Sequence, residues 1–197
     1  GRAVIAALVA RGWPVRALVH REEQAGLVHS LGAKEVIVGD MRDEATLKRG
    51  CQDARAVYHI CPNVSPDEIP IGKAAMASAH DARVEHFVFH SVLHPLTQEM
   101  THHWNKLRVE ELLFESGLGY TILQPASYMQ NVLAGWQMII EQGVYAVPYS
   151  VESPFSMVDL EDVAEAAAVV LTEPGHAGAT YELAGPDVLT QRQAAEI

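Results

Sequence analysis

Apolar positions along this chain recur with two alternating periods. Residues 2–11 carry Val4, Ile5, Leu8 and Val9 at helical spacing, and Gly12 follows as a helix stop. Residues 14–19 then form a short apolar run rich in β-branched side chains, the mark of a strand. The same alternation continues downstream. It predicts strands over 35–38, 54–60, 86–90 and 120–123, and helices over 22–31, 43–49, 69–81 and 101–116. Gly32 and Gly50 close two of these helices, and Asp43 is the expected N-cap of the one at 43–49.

Strands that alternate with helices across short connections form parallel sheets covered on both faces. The expected fold class is therefore α/β, a doubly wound parallel sheet. After Pro125 the rhythm loosens. A helix near 131–142, short strands near Tyr145 and Ser156, an amphipathic helix over 160–171, a strand at 181–183 and a helix starting at Thr190 are expected. The chain thus divides into a sheet domain, 1–126, and a small α/β lobe, 127–197, interleaved with the last sheet strands. Both ends look cut. A doubly wound sheet carries a strand ahead of its first helix, so a first strand before Gly1 is expected, as is further chain after Ile197.

Charge and composition narrow the partners. The 197 residues include 14 basic and 25 acidic ones, for a formal net charge of −11. Such a surface repels nucleic acid and anionic lipid, so neither is expected as a partner. Two cysteines, Cys51 and Cys61, suit a reducing compartment and do not form a Cys-x-x-Cys pair. No apolar run reaches the length of a membrane span, and no leader pattern is visible, so a cytoplasmic location is expected. The ten histidines match no zinc spacing, and no metal is expected. A Gly-x-Ser-x-Gly nucleophile elbow is absent.

Ligands of doubly wound sheets bind beyond the C-terminal ends of the strands. His20 and Arg21 stand at the first such end, with no acidic residue at 19–21. An acidic side chain there would take a ribose 2′-hydroxyl, whereas an arginine accommodates a 2′-phosphate. Arg2, at the start of the first helix, is a second candidate cation. Asp40, after Gly39, is placed either to accept from an adenine amino group or to start the following turn, with Met41 beside the ring. The later ends carry Cys61 and Pro62, then Ser91, His94 and Pro95, then Gln124, Pro125 and Ala126. Lys106, inside the helix at 101–116, borders the core. It is read either as a ribose- or pyrophosphate-binding cation or as a surface partner of Glu110.

Several segments in order resemble one family: Gly1-Arg-Ala-Val-Ile, Val15-Arg-Ala-Leu-Val, Gly39-Asp-Met-Arg-Asp, Phe87 to Leu93, Lys106-Leu-Arg-Val-Glu-Glu-Leu-Leu, Tyr120-Thr-Ile-Leu-Gln-Pro-Ala, Tyr128-Met-Gln-Asn and Val158-Asp-Leu-Glu-Asp-Val-Ala. Together they resemble the NmrA-like branch of the atypical short-chain dehydrogenases. The resemblance implies a Rossmann domain that binds NADP(H) by preference, with NAD(H) as the alternative, and a small lobe that closes a substrate cleft. Gly1 would be the last glycine of a Gly-x-x-Gly-x-x-Gly loop. Lys106 would lie near the nicotinamide ribose, Arg21 at the 2′-phosphate, and Pro125, Ala126 and Tyr128 at the nicotinamide end. The Tyr-x-x-x-Lys pair of the wider superfamily is absent, and His102 stands where its tyrosine would be.

The expected activity is hydride transfer to a quinone-like or other flat small-molecule acceptor, which needs little acid assistance. Lys106 and His102 are the candidate catalytic residues. Trp104, Tyr128 and Met129 would supply a flat apolar wall, Asn131 a polar handle, and His94 a second proton donor. The alternative is a non-catalytic redox sensor that binds the same cofactor and acts through a protein partner. An epimerase on the same scaffold is a third reading. It is disfavoured because no tyrosine base is present.

Overall fold

A computed structural model describes residues 1–197. Helix α1 covers Arg2–Ala10, followed by β1 Arg16–Val19, α2 Glu22–Ser30, β2 Glu35–Val38, α3 Glu44–Cys51 and β3 Ala56–His59. Then come α4 Glu68–Asp81, β4 His86–His90, α5 Thr101–Glu115 and β5 Tyr120–Pro125. The second half adds β6 Ser127–Tyr128, a 3-10 turn at Met129–Gly135, α6 Trp136–Gln142, β7 Phe155–Val158, α7 Leu160–Thr172, β8 Ala179–Leu183, β9 Val188–Leu189 and α8 Gln191–Glu196. The α/β class follows the sequence pattern. The helix expected over 131–142 instead splits into the 3-10 turn and α6. No strand forms near Tyr145, while the two-residue strands β6 and β9 lack any periodic signal.

Strands β3, β4, β5 and β8 form one parallel sheet in the order β3-β4-β5-β8. Alternate residues of β4 feed opposite faces. Phe87 and Phe89 pack with Ala75, Ala79, Val109 and Leu113 of α4 and α5. Val88 packs on the other side with Val4 of α1 and Ala164, Ala167 and Val170 of α7. Helices therefore cover both faces.

The doubly wound order 3-2-1-4 puts the strand expected ahead of α1 between β1 and β3. Strands β1 and β2 pair in parallel as a separate two-stranded sheet. The unpaired edges of β1 and β3 both line a cavity of about 860 Å³ whose walls include Val4, Leu8, Ala17, Val57 and Tyr58. That cavity occupies the position of this expected strand, and β1 and β3 do not pair across it. A third, mixed sheet, β6-β7-β9, sits beyond the end of β5. Strand β8 of the C-terminal segment returns to the main sheet beside β5.

Two glycines show how tightly this is closed. A Cβ on Gly119, just before β5, would lie 2.7 Å from the Glu85 carbonyl oxygen, and one on Gly185 would lie 2.5 Å from that of Met157. Backbone cannot yield as a flexible side chain does. Gly119→Ala is expected to destabilise the chain by about 1–3 kcal/mol. Urea denaturation checks this as a lower midpoint with an unchanged slope.

Candidate functional site

At the end of β1, the amides of His20 and Arg21 both donate to Gln24 Oε1, at 3.1 and 2.9 Å. This turn delivers the chain into α2 and leaves both side chains exposed. Arg21 enters none of the chain's ion pairs. At the end of β2, Arg42 grips the Asp40 carboxylate through Nε, at 3.1 Å from each oxygen, and through its terminal nitrogen at 2.6 Å. These bonds and the Arg42 amide hold the Asp40 pKa down at about 2. Asp40 is thus an anion already committed to Arg42, and Met41 packs against the core beneath it.

Helix α1 begins at the same end of the molecule. Its first intrahelical bond runs from the Ile5 amide to the Gly1 carbonyl, so the amides of Arg2, Ala3 and Val4 have no acceptor within the helix. No acidic residue occupies its first turn. A Cβ at Gly1 would meet nothing within 4 Å.

Beyond β3 and β4 lies a buried polar cluster. Lys106 Nζ donates to Glu68 Oε1 and to the His90 carbonyl, each at 3.0 Å, and stands 5.2 Å from the centre of the Phe89 ring. The Lys106 and Glu68 side chains are 6% and 1% exposed, so the pair is almost fully buried, with only an edge of Lys106 left accessible. Glu68 Oε2 and His59 Nε2 have no hydrogen-bond partner. His59 lies between the rings of Phe87 and Phe89, 5.7 and 5.9 Å away, and burial pushes its pKa down to about 3. Cys61 is buried against Glu68, and burial with that neighbouring charge pushes its thiol up to about 12. Ser91 Oγ donates to Glu110, and Gln124 Nε2 donates to both Glu110 oxygens at 3.0 Å. Burial raises the Glu110 pKa against those bonds. Ser91 is therefore a closed structural donor facing α5.

The opposite face of β4 carries a chain of three rings. The Tyr58 hydroxyl bonds His90 Nδ1, and His90 Nε2 bonds the Tyr128 hydroxyl at 2.5 Å. Burial, first of all, pushes the His90 pKa down to about 3. Tyr128 is raised to about 12 by burial and remains half-buried. Next to it, Pro125 and Ala126 are buried backbone fasteners. The Pro125 carbonyl accepts from the Leu93 amide at 2.9 Å, and the Ala126 amide donates to the Leu183 carbonyl at 2.8 Å.

The remaining candidates scatter around this centre. His102 is half-buried near Lys106, its pKa lowered by burial and then by that ammonium. Trp104 is half-buried, and Pro62 is exposed. His94 is exposed with φ at +56°, and its carbonyl accepts from Thr97 Oγ1 at 3.3 Å. Met129 is exposed, and Asn131 Nδ2 donates to Ser127 Oγ at 3.2 Å. Sequence reasoning did not select Glu68, Tyr58, His59, His90 or Glu110 as site residues. One signal was available: Tyr-His and Phe-His pairs interrupt otherwise apolar strands, and a polar side chain inside a buried strand demands a partner.

The sequence profile of the NmrA-like family matches residues 1–197. The chain is 30% identical over 200 residues to NAD(P)H azoreductase of Xenophilus azovorans, covering 99% of this chain and 68% of that protein. Its fold is similar to that of the NADPH-dependent quinone oxidoreductase of Escherichia coli complexed with NADPH. The TM-score there is 0.86 at 29% identity, over 100% of this chain and 69% of the other. The triphenylmethane reductase of Citrobacter sp. complexed with NADP(H) gives a TM-score of 0.82 at 25% identity, over 98% and 69%. The chain thus spans about two thirds of these proteins. No helix is long and apolar enough to cross a membrane.

Proposed function

Because the chain belongs to the NmrA-like family, we propose that it binds a nicotinamide dinucleotide across its strand ends and reduces a small flat acceptor, with NADPH preferred. Similarity to NAD(P)H- and NADPH-dependent reductases of azo, quinone and triphenylmethane compounds supports the activity class. The observation that carries the cofactor reading is the pairing of two anion-accepting features at one end of the sheet. The free amides that open α1 suit a pyrophosphate, and no acidic side chain competes for them. Arg21 is exposed, unpaired and held at the end of β1 by the Gln24 bonds, which suits a 2′-phosphate.

Gly1 and Arg2 would flank the pyrophosphate, and Met41 the adenine side. Ala126, Pro125 and Tyr128 would stand at the nicotinamide end. When bound, the reduced nicotinamide supplies a hydride. Lys106 uses two of its three N–H donors on Glu68 and His90, and the third remains for a ribose hydroxyl. Its main work is to hold the β4 terminus against α4. His102 adds a titratable group near this ammonium. The exposed Met129 and half-buried Trp104 offer apolar surface to a planar acceptor.

Fluorescence titration with NADPH and NADH tests this reading. NADPH is expected to bind more tightly. Arg21→Ala is expected to weaken NADPH about tenfold, the size of one lost charge-assisted hydrogen bond, and to leave NADH nearly unchanged. Equal weakening of both cofactors would remove the 2′-phosphate role. Binding without oxidation of NADPH by any quinone or azo dye would favour a sensor over a reductase.

A further inference from the structure

The Tyr58–His90–Tyr128 chain has a direction that follows from hydrogen-bond accounting. His90 is neutral, because burial first and then the nearby Lys106 ammonium disfavour its cation. A neutral imidazole has one N–H and one bare nitrogen. The two tyrosines must therefore bond it with opposite polarity. The half-buried Tyr58 packs against the apolar cluster of Val4, Val88, Leu123 and Ala164 and lines the cavity beside β3, and His90 Nδ1 is the one protein partner of its hydroxyl. If Tyr58 accepted a proton from Nδ1, its own O–H would turn to the largely apolar wall of that cavity, where no protein acceptor meets it, which is costly. Tyr58 therefore donates and Nδ1 is bare. Nε2 carries the proton and donates to the Tyr128 oxygen at 2.5 Å. The Tyr128 proton then points away from His90. No protein acceptor takes it, and the ring stands half-buried at the mouth of the β4 and β5 ends.

We infer that Tyr128 is the proton donor of the reductive step, its hydroxyl aimed outward by His90, whose tautomer Tyr58 sets. The inference rests on the reading of the chain as a nicotinamide-dependent reductase. The acceptor gains a hydride from the reduced nicotinamide, which is oxidised, and an acceptor oxygen or nitrogen becomes anionic. The Tyr128 O–H bond then breaks, and its proton joins that atom. The phenolate oxygen keeps the His90 Nε2–H bond, which stabilises it, and solvent water returns the proton. Tyr58 and His90 exchange no proton in the cycle. They are positioning residues, because a buried Tyr58 phenolate is strongly disfavoured. Tyr128, raised to about 12, stays protonated at neutral pH and suits strongly basic anions such as those formed from azo nitrogens.

Two measurements on the full chain test this. Long-range nitrogen–proton NMR of histidine-labelled protein, with His90 assigned by difference from His90→Gln, is expected to show the Nε2–H tautomer. Tyr128→Phe should retain that tautomer, and Tyr58→Phe should lose it. An Nδ1–H tautomer in the unaltered protein overturns the inference whatever the activity. With NADPH and an azo dye, Tyr128→Phe is expected to lower kcat about 100-fold and abolish the solvent isotope effect, with the KM for NADPH within threefold. Tyr58→Phe should lower kcat less. An unchanged kcat in folded Tyr128→Phe overturns the acid role and leaves the reductase reading standing. Absence of NADPH oxidation by the unaltered protein overturns both, while the NMR result still decides the polarity of the chain.

Discussion

Glu68→Ala is expected to cost about 3–5 kcal/mol, a large part of the 5–15 kcal/mol that holds a typical domain together. Glu68 is 1% exposed and takes the Lys106 ammonium at 3.0 Å. Removing the carboxylate leaves a buried cation whose only other partner is the His90 carbonyl. The low-dielectric surroundings that make the pair strong make the orphaned charge costly. Glu68→Leu combined with Lys106→Met should recover most of the loss, because neither charge is then buried. Urea denaturation of the two single variants and the double variant measures the coupling. A loss under about 1 kcal/mol in Glu68→Ala would show that water reaches Lys106 and that the pair is not the fastener described. The same experiment bears on the site, since the β4 end that Lys106 anchors also carries His90.

Acidification is expected to destabilise the chain steeply between pH 6.5 and about 3. His59 and His90 have native pKa values pushed down to about 3, against an ordinary 6.5. Within that window the unfolded chain binds two protons that the native chain refuses. Their stabilising contribution is therefore complete above pH 6.5 and is lost as pH falls toward 3. Each histidine contributes about 1.4 kcal/mol per pH unit in that window, so the pair loses about 4 kcal/mol by pH 5. The lowered values of His86 and His102 act in the same direction. Glu110 acts oppositely: its raised pKa lets the native state take up a proton first and offsets part of the loss. Denaturation at pH 7.5 and pH 5 measures the slope. His59→Phe, which keeps a ring between Phe87 and Phe89, should remove close to half of it. An unchanged slope would show that His59 is protonated in the native state.

Much of this was legible in the residues. The helical spacing of Val4 and Leu8, the β-branched run before His20, and Asp43 as an N-cap that accepts from Ala45 and Thr46 each specify local structure through nearest neighbours. These signals need no partner distant in the chain, and so the α/β class and most elements followed. The exposed Arg21 was also legible, because a strand end is a topological position. The gap between β1 and β3 falls where the strand expected ahead of α1 would pair, a position that the doubly wound order gives. The 3-10 turn at Met129–Gly135 and the short strands β6 and β9 were not legible, because they carry no periodic signal.

The site divides in the same way. Sequence determined that Lys106 sits on a helix bordering the core, and that Ser91, Pro125 and Tyr128 lie at strand ends. Only the tertiary structure decided what those groups do. It places Glu68, 38 residues away, against Lys106, and Glu110, 19 residues away, against Ser91. It also sets His90 between two tyrosines from separate strands. Local periodicity assigns a side chain to a face. Its protonation state and hydrogen-bond direction depend on desolvation and on partners that only chain folding brings within 3 Å.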